Sequence, residues 1–252
     1  MQRQSYEERA NLTKHPLSRK LFSLMHSKQT NLGVIANSSK SHEILKLAET
    51  IGPNICILKT HVDILEDFTP DFSRNLRSIA DKHQFLIFED RKYSELGEVV
   101  ERQYGGGLYK VVDWADLVSV HLSSGEKIID SLSLVGKDKG RGIVLLADSS
   151  MEDISCDSSL VAIRWAEKRP DFIMGFECSR RLCLNEGFLH FTSIRKSLIE
   201  DTFCSIKISP EHVIGACGGD VILIDDSFLG SGDPEIISRE YRNRGYIAYN
   251  QY

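Results

Sequence analysis

The sequence predicts a single closed α/β barrel of the (β/α)₈, or TIM, class. Three observations carry that expectation. Eight short apolar runs recur at intervals of about 25 to 35 along the 252 residues. The runs are rich in β-branched and aromatic residues with little polar alternation, the pattern of parallel strands covered on both faces. Between most of them lie amphipathic stretches long enough for a helix, and eight such units in roughly 250 residues suit a closed barrel better than an open sheet.

The elements follow in chain order. Residues 1–30, including Leu21-Phe22-Ser23-Leu24-Met25, are expected to form a helical extension packed under the barrel. The eight strands are expected at Leu32 to Ala36, Ile55 to Leu58, Phe85 to Phe88, Leu117 to Val120, Ile143 to Ala147, Phe172 to Phe176, Phe188 to Phe191 and Val221 to Ile224. A helix from His42 to Ile51 ends at Gly52-Pro53, a strong stop signal. Another, from Ser159 to Lys168, stops at Pro170. No linker, low-complexity tract or charge block interrupts the series, so residues 1–252 read as one domain.

Composition narrows the function classes. Hydrophobic content of 41% and charged content of 27% are those of an ordinary soluble globular chain. A net charge of −5 offers no basic footprint for nucleic acid or an anionic membrane. No apolar run approaches the roughly 20 residues of a membrane span, and the N-terminus lacks the apolar core of a signal peptide. The six cysteines are scattered without a C-x-x-C pair, which argues against a disulfide frame or zinc site and for a reducing, cytoplasmic setting.

In barrels of this class the active site is built at the C-terminal strand ends. Read in order, those ends present Asn37, Lys59 with His61, Asp90 with Lys92, His121, Asp148 with Ser149 and Ser150, Glu177, Thr192 with Ser193, and Asp225 with Asp226. Strand ends are wet, so one polar residue there means little. Lys59, Asp90 and Lys92 together mean more. Asp90 and Lys92, two residues apart on one strand end, can point the same way. With Lys59 on the neighbouring strand they would form a Lys-Asp-Lys cluster that keeps both lysines and the carboxylate charged. Such a cluster can stabilise a developing carbanion, protonate it, or stress a substrate carboxylate set beside Asp90.

At these residues the chain resembles the orotidine 5′-monophosphate decarboxylase family, in the branch that forms the C-terminal half of animal UMP synthase. The resemblance is carried by Thr30-Asn31-Leu32, Gly52-Pro53 through Lys59-Thr60-His61 to Leu65, Phe85 through Asp90-Arg91-Lys92, Gln103-Tyr104-x-Gly106-Gly107, Trp114 to Val118, and the tail from Tyr241 to Tyr249. It implies a (β/α)₈ barrel, a homodimer with sites shared across the interface, a pyrimidine nucleotide or nucleoside as ligand, and neither metal nor organic cofactor. Lys59, Asp90 and Lys92 match three members of the family's charged network, with Lys92 the proton donor to the carbanion. Glu95 stands where the family has an aspartate reaching in from the partner subunit. His61 is retained, and Ser150 aligns with the serine that contacts the pyrimidine, with Ser149 the competing alignment.

The ligand-holding positions depart from the family. Asn37 replaces the ribose-binding aspartate, and Glu98-Val99 replace an Asn-Thr pair. After the eighth strand the family reads Gly-Arg-Gly, whose arginine grips phosphate. Here the chain reads Asp225-Asp226-Ser227, so Asp226 stands at the arginine position, a swing of two charge units. After the seventh strand, Thr192-Ser193-Ile194-Arg195-Lys196 lacks the family's Thr-Pro-Gly, with Arg195 and Lys196 the candidate replacement cations. No phosphoribosyltransferase segment accompanies the barrel, so a single reaction step is expected. Three readings follow, in order of expectation: a pseudoenzyme or a binder of a different ligand; an enzyme for an unphosphorylated pyrimidine or nucleoside; and an active decarboxylase making UMP in pyrimidine biosynthesis.

Overall fold

The computed structural model describes residues 3–147, 156–194 and 209–251. Two helices, α1 (Tyr6–Leu12) and α2 (Pro16–Lys28), precede eight parallel strands: β1 (Leu32–Ala36), β2 (Ile57–Thr60), β3 (Leu86–Tyr93), β4 (Leu117–His121), β5 (Gly142–Leu146), β6 (Ile173–Glu177), β7 (Leu189–Ile194) and β8 (Val221–Asp225). They pair in sequence order, and β1 pairs with β8 in parallel, so the sheet closes on itself. The described helices around it include α3 (Ser41–Ile51), α4 (Pro70–His83), α5 (Glu98–Gly105), α6 (Val111–Trp114), α7 (Lys127–Gly136), α8 (Cys156–Lys168), α9 (Pro210–Gly215) and α10 (Pro234–Gln251).

All eight predicted strands are present, with shifted edges. The largest shift is in β3, which runs on through Glu89-Asp90-Arg91-Lys92 to Tyr93 rather than stopping at Phe88. Its ladder with β4 slips between Glu89 and Tyr93. A bulge of this kind bends a strand and re-aims its side chains. Lys59 likewise lies within β2 rather than beyond it.

The N-terminal extension is two helices, not one. Pro16 sits at the first turn of α2, where its missing N–H costs nothing, and the His15 ring accepts from the Leu17 N–H as the cap. A proline at that position cannot lie inside a continuous helix. Arg9, fully buried on α1, ties the extension to the barrel. It donates to both oxygens of buried Asp220, at 2.5 and 3.0 Å, and to the carbonyls of Glu186 and Phe188. Burial would lift the Asp220 carboxyl, but Arg9, His190 and Arg3 outweigh it and hold its pKa well below the usual value.

The barrel is filled by Phe88 and Phe191, whose ring centres lie 5.9 Å apart, together with the other buried strand residues. Gly175 in β6 is required by close approach: a Cβ there would fall 1.9 Å from the Leu189 carbonyl oxygen. That contact lets β6 and β7 pair tightly just before Glu177.

Candidate active site

Lys59, Asp90 and Lys92 meet at the C-terminal mouth of the barrel. Lys59 Nζ lies 3.0 Å from Asp90 Oδ2, and Lys92 Nζ lies 3.6 Å from the same oxygen. Lys59 and Asp90 are buried, whereas the Lys92 side chain is half exposed and free to face a ligand. His61 Nδ1 stands 3.8 Å from Asp90 Oδ2. The predicted Lys-Asp-Lys cluster is therefore assembled within one chain.

Register explains how. Lys59 is opposite Phe88 and Thr60 opposite Glu89, so successive residues alternate between the interior and the helix-covered face. Lys59 and Asp90 point inward. Thr60 and Glu89 point outward, where the Thr60 hydroxyl donates to Glu89 Oε2 at 2.7 Å and the Val62 N–H donates to Oε1 at 2.8 Å. Glu89 thus fastens the turn that carries His61. Its burial raises its carboxyl pKa to about 8 despite those two donors.

Two residues complete the centre. Ser119 on β4 donates from Oγ to Asp90 Oδ1 at 2.5 Å and accepts from the Lys92 N–H at 2.8 Å. Lys92 needs that anchor, because its backbone adopts a left-handed φ of 49°, a conformation costing about 1–3 kcal/mol for a non-glycine residue. Glu177 at the end of β6 accepts from Lys59 Nζ with both oxygens, at 2.9 and 2.8 Å. The order is therefore Glu177, Lys59, Asp90, Lys92, with charges alternating.

Burial would lower the Lys59 pKa, but Glu177 and Asp90 reverse this and raise it. Burial would raise Asp90, but Lys59, the Ser119 hydroxyl and Lys92 bring it below the usual carboxylate value. Both stay charged at neutral pH. Burial lowers His61, with Asp90 opposing, so its imidazole is neutral there.

Other predicted positions fall elsewhere. Asn37 and Asp226 are at the mouth but bonded to one another: the Asn37 N–H donates to Asp226 Oδ2 at 2.8 Å, and Asn37 Nδ2 donates to Asp225 Oδ2 at 2.6 Å. Asn37 is thus a strut between β1 and the turn after β8. Burial and the neighbouring Asp225 raise the Asp226 pKa. A cavity of about 280 Å³ opens beside Asp226, lined also by Ser38, Glu43, Ile44 and Leu47; neither Lys59 nor Asp90 lines it. Glu95 is exposed between β3 and α5, outside the network that its own chain forms. Ser150, with Asp148 and Ser149, lies outside the described residues, as do Arg195 and Lys196.

Sequence reasoning did not assign Ser119 or Glu177 to the site. Ser119 offered one signal, a hydroxyl inside a run otherwise made of apolar residues. Glu177 was visible as an acid at a strand end, with nothing local to place it against a residue 118 positions away.

Comparison with known proteins agrees with this fold. The family model for orotidine 5′-phosphate decarboxylase / HUMPS matches residues 30–241. The chain is 38% identical to the orotidine 5′-phosphate decarboxylase of Schizosaccharomyces pombe over 253 residues, covering 98% of this chain and 96% of that one. It is 37% identical to the uridine 5′-monophosphate synthase of Bos taurus, covering 97% of this chain and 52% of that one. Among solved structures, a putative orotidine-monophosphate-decarboxylase from Toxoplasma gondii superposes with a TM-score of 0.68 at 12% identity, over 93% of this chain and 98% of that one. The Methanocaldococcus jannaschii orotidine 5′-monophosphate decarboxylase complexed with inhibitor BMP gives 0.66 at 13%, over 85% and 98%. At those identities the structures speak for the fold; the curated relatives and the family model carry the rest. With its closed barrel and its lysine–aspartate–lysine cluster in place, the chain belongs to the orotidine 5′-phosphate decarboxylase / HUMPS family.

Proposed function

We propose that this protein is a decarboxylase acting on orotidine 5′-monophosphate, with its reaction centre at Lys59, Asp90 and Lys92 and a weakened hold on the phosphate. The observation that carries the reading is the ion chain from Lys59 through Asp90 Oδ2 to Lys92, at 3.0 and 3.6 Å. Relatives named as orotidine 5′-phosphate decarboxylases, 34 to 38% identical over nearly the whole chain, support it.

The chemistry follows from the charges. A substrate carboxylate brought beside ionised Asp90 is destabilised there, and its departure as CO₂ relieves the repulsion. The electron pair left on the pyrimidine ring is stabilised by the ammonium of Lys92, which then supplies the proton. Ser119 fixes both partners of that step, through Asp90 Oδ1 and the Lys92 N–H. Lys59 keeps Asp90 ionised from its buried side. No metal or organic cofactor is called for. Glu95, exposed beside the exposed apolar residues Leu96 and Val99, suits a homodimer in which it approaches Lys92 of a second copy.

A second reading, a barrel that binds without turnover, is favoured by two other observations. Asp225 and Asp226 make the mouth after β8 acidic, and Glu177 occupies the open side of Lys59. Remote phosphate contacts supply binding energy that such sites use to organise themselves, and an acid in that place works against it. The test is formation of UMP from orotidine 5′-monophosphate by the wild type and by Lys92→Ala. Turnover that depends on Lys92 supports the first reading. Absence of turnover, with UMP still raising the melting temperature, would move the protein to the second.

A further inference from the structure

Among the described residues, the Lys59 ammonium is surrounded by carboxylate oxygens. An ammonium carries three N–H groups. Here Nζ donates to Glu177 Oε1 at 2.9 Å and Oε2 at 2.8 Å, and forms an ion pair with Asp90 Oδ2 at 3.0 Å. Glu177 reaches Lys59 across the barrel interior, since β6 lies four strands from β2 in a ring of eight. Lys59, Asp90 and Lys92 alone would carry one net positive charge, the sign that attracts a carboxylate. With Glu177 the cluster is neutral.

Glu177 is also loosely held apart from Lys59. Among the described residues, its other side-chain hydrogen bond comes from Ser193 Oγ at a long 3.4 Å, and 12% of its side chain is exposed. It is placed to be exchanged for another acceptor.

We infer that Glu177 is a specificity-determining residue: a built-in carboxylate that holds the anion position at Lys59, which an anionic ligand group must displace. With Glu177 in place the site favours a pyrimidine nucleoside that is uncharged at that edge over one bearing a carboxylate. In terms of the proposed reaction, it favours the product over the substrate. The inference rests on the mouth being a ligand site, and not on turnover.

The experiment uses the full chain with Glu177→Gln, which keeps shape and removes charge, and Glu177→Ala, which leaves Lys59 paired with Asp90. Orotidine and uridine binding are measured by calorimetry for each protein. In parallel, the wild type and Glu177→Ala are crystallised in formate. Orotidine is expected to tighten at least tenfold in both variants, about 1.4 kcal/mol, while uridine changes less than twofold. Formate is expected against Lys59 Nζ in Glu177→Ala and not in the wild type. Equal changes for the two nucleosides, unchanged orotidine affinity beside measurable uridine binding, or an alanine variant with no formate at Lys59 would each overturn the inference. If neither nucleoside binds any variant but formate takes the vacated position, the substrate reading falls and the role of Glu177 stands.

Discussion

Replacing Ser119 with alanine removes one hydroxyl that does two things at once. Its Oγ donates to Asp90 Oδ1 at 2.5 Å and accepts from the Lys92 N–H at 2.8 Å. A hydrogen bond to a charged group contributes about 1.5–3 kcal/mol. For a chain of this size each kcal/mol corresponds to roughly 2–4 °C, so Ser119→Ala is expected to lower the melting temperature by about 3–12 °C. The loss should depend on pH in a stated direction. Asp90 has a folded pKa below its unfolded value, so its stabilisation is present above the unfolded pKa of about 3.9 and is lost as pH falls through the folded pKa. Ser119 supports the ionised form, so the deficit of Ser119→Ala is largest near pH 7 and shrinks in acid. Turnover should fall about 10- to 100-fold as Asp90 and the strained Lys92 backbone lose their common anchor. Ser119→Thr, which keeps the hydroxyl, should recover most of both. Melting curves from pH 3 to 7 and steady-state rates test this. An alanine variant within 1 °C and twofold of the wild type across that range would refute the assigned role of Ser119.

Glu89 gives the opposite pH trend. Its folded pKa of about 8 exceeds the unfolded value, so its contribution to stability declines as pH rises from about 4.3 to 8, by up to about 1.4 kcal/mol per pH unit. Glu89→Gln should flatten that decline in chemical denaturation, and an unchanged slope would count against it. Asp220→Asn removes the fully buried counter-charge of Arg9, leaving only partly exposed Glu186 beside it, and should cost about 3–5 kcal/mol, or roughly 6–20 °C; a loss under 1 kcal/mol in urea titration would contradict the network's role. Asp226→Arg alone is expected not to restore phosphate-dependent activity, because Asp225 would neutralise the new guanidinium; substantial rescue in an orotidine 5′-monophosphate assay would show otherwise.

The barrel was legible because strands buried on both faces cannot hide their apolar runs, and all eight were placed to within a few residues. The edges slipped where charge and burial coincide. Lys59 and Asp90 lie inside strands, yet a charged residue after an apolar run reads as the strand's end. Asp90 with Lys92 was legible from spacing alone, and Lys59 from strand adjacency. Glu177 and Ser119 were not, since each owes its partner to barrel closure or to the bulge in β3. Asn37, which stands at a ligand-holding position of the family, instead gives its backbone N–H to Asp226 and its side-chain amide to Asp225. That pairing depends on β1 meeting β8, which no local pattern encodes. The helix break at His15-Pro16 is legible in principle from the proline, which cannot lie inside a continuous helix.

The proposed reaction places the chemistry in Lys59, Asp90 and Lys92, with the phosphate contributing little at a mouth bearing Asp226. The ratio of kcat/KM for orotidine 5′-monophosphate to that for orotidine tests it most directly. Measurable turnover of both is expected, with a ratio within about tenfold, a difference of about 1.4 kcal/mol in transition-state stabilisation. A preference for the nucleotide of four orders of magnitude or more would place a strong phosphate grip in the protein, and turnover of neither would contradict a reaction centre at these residues.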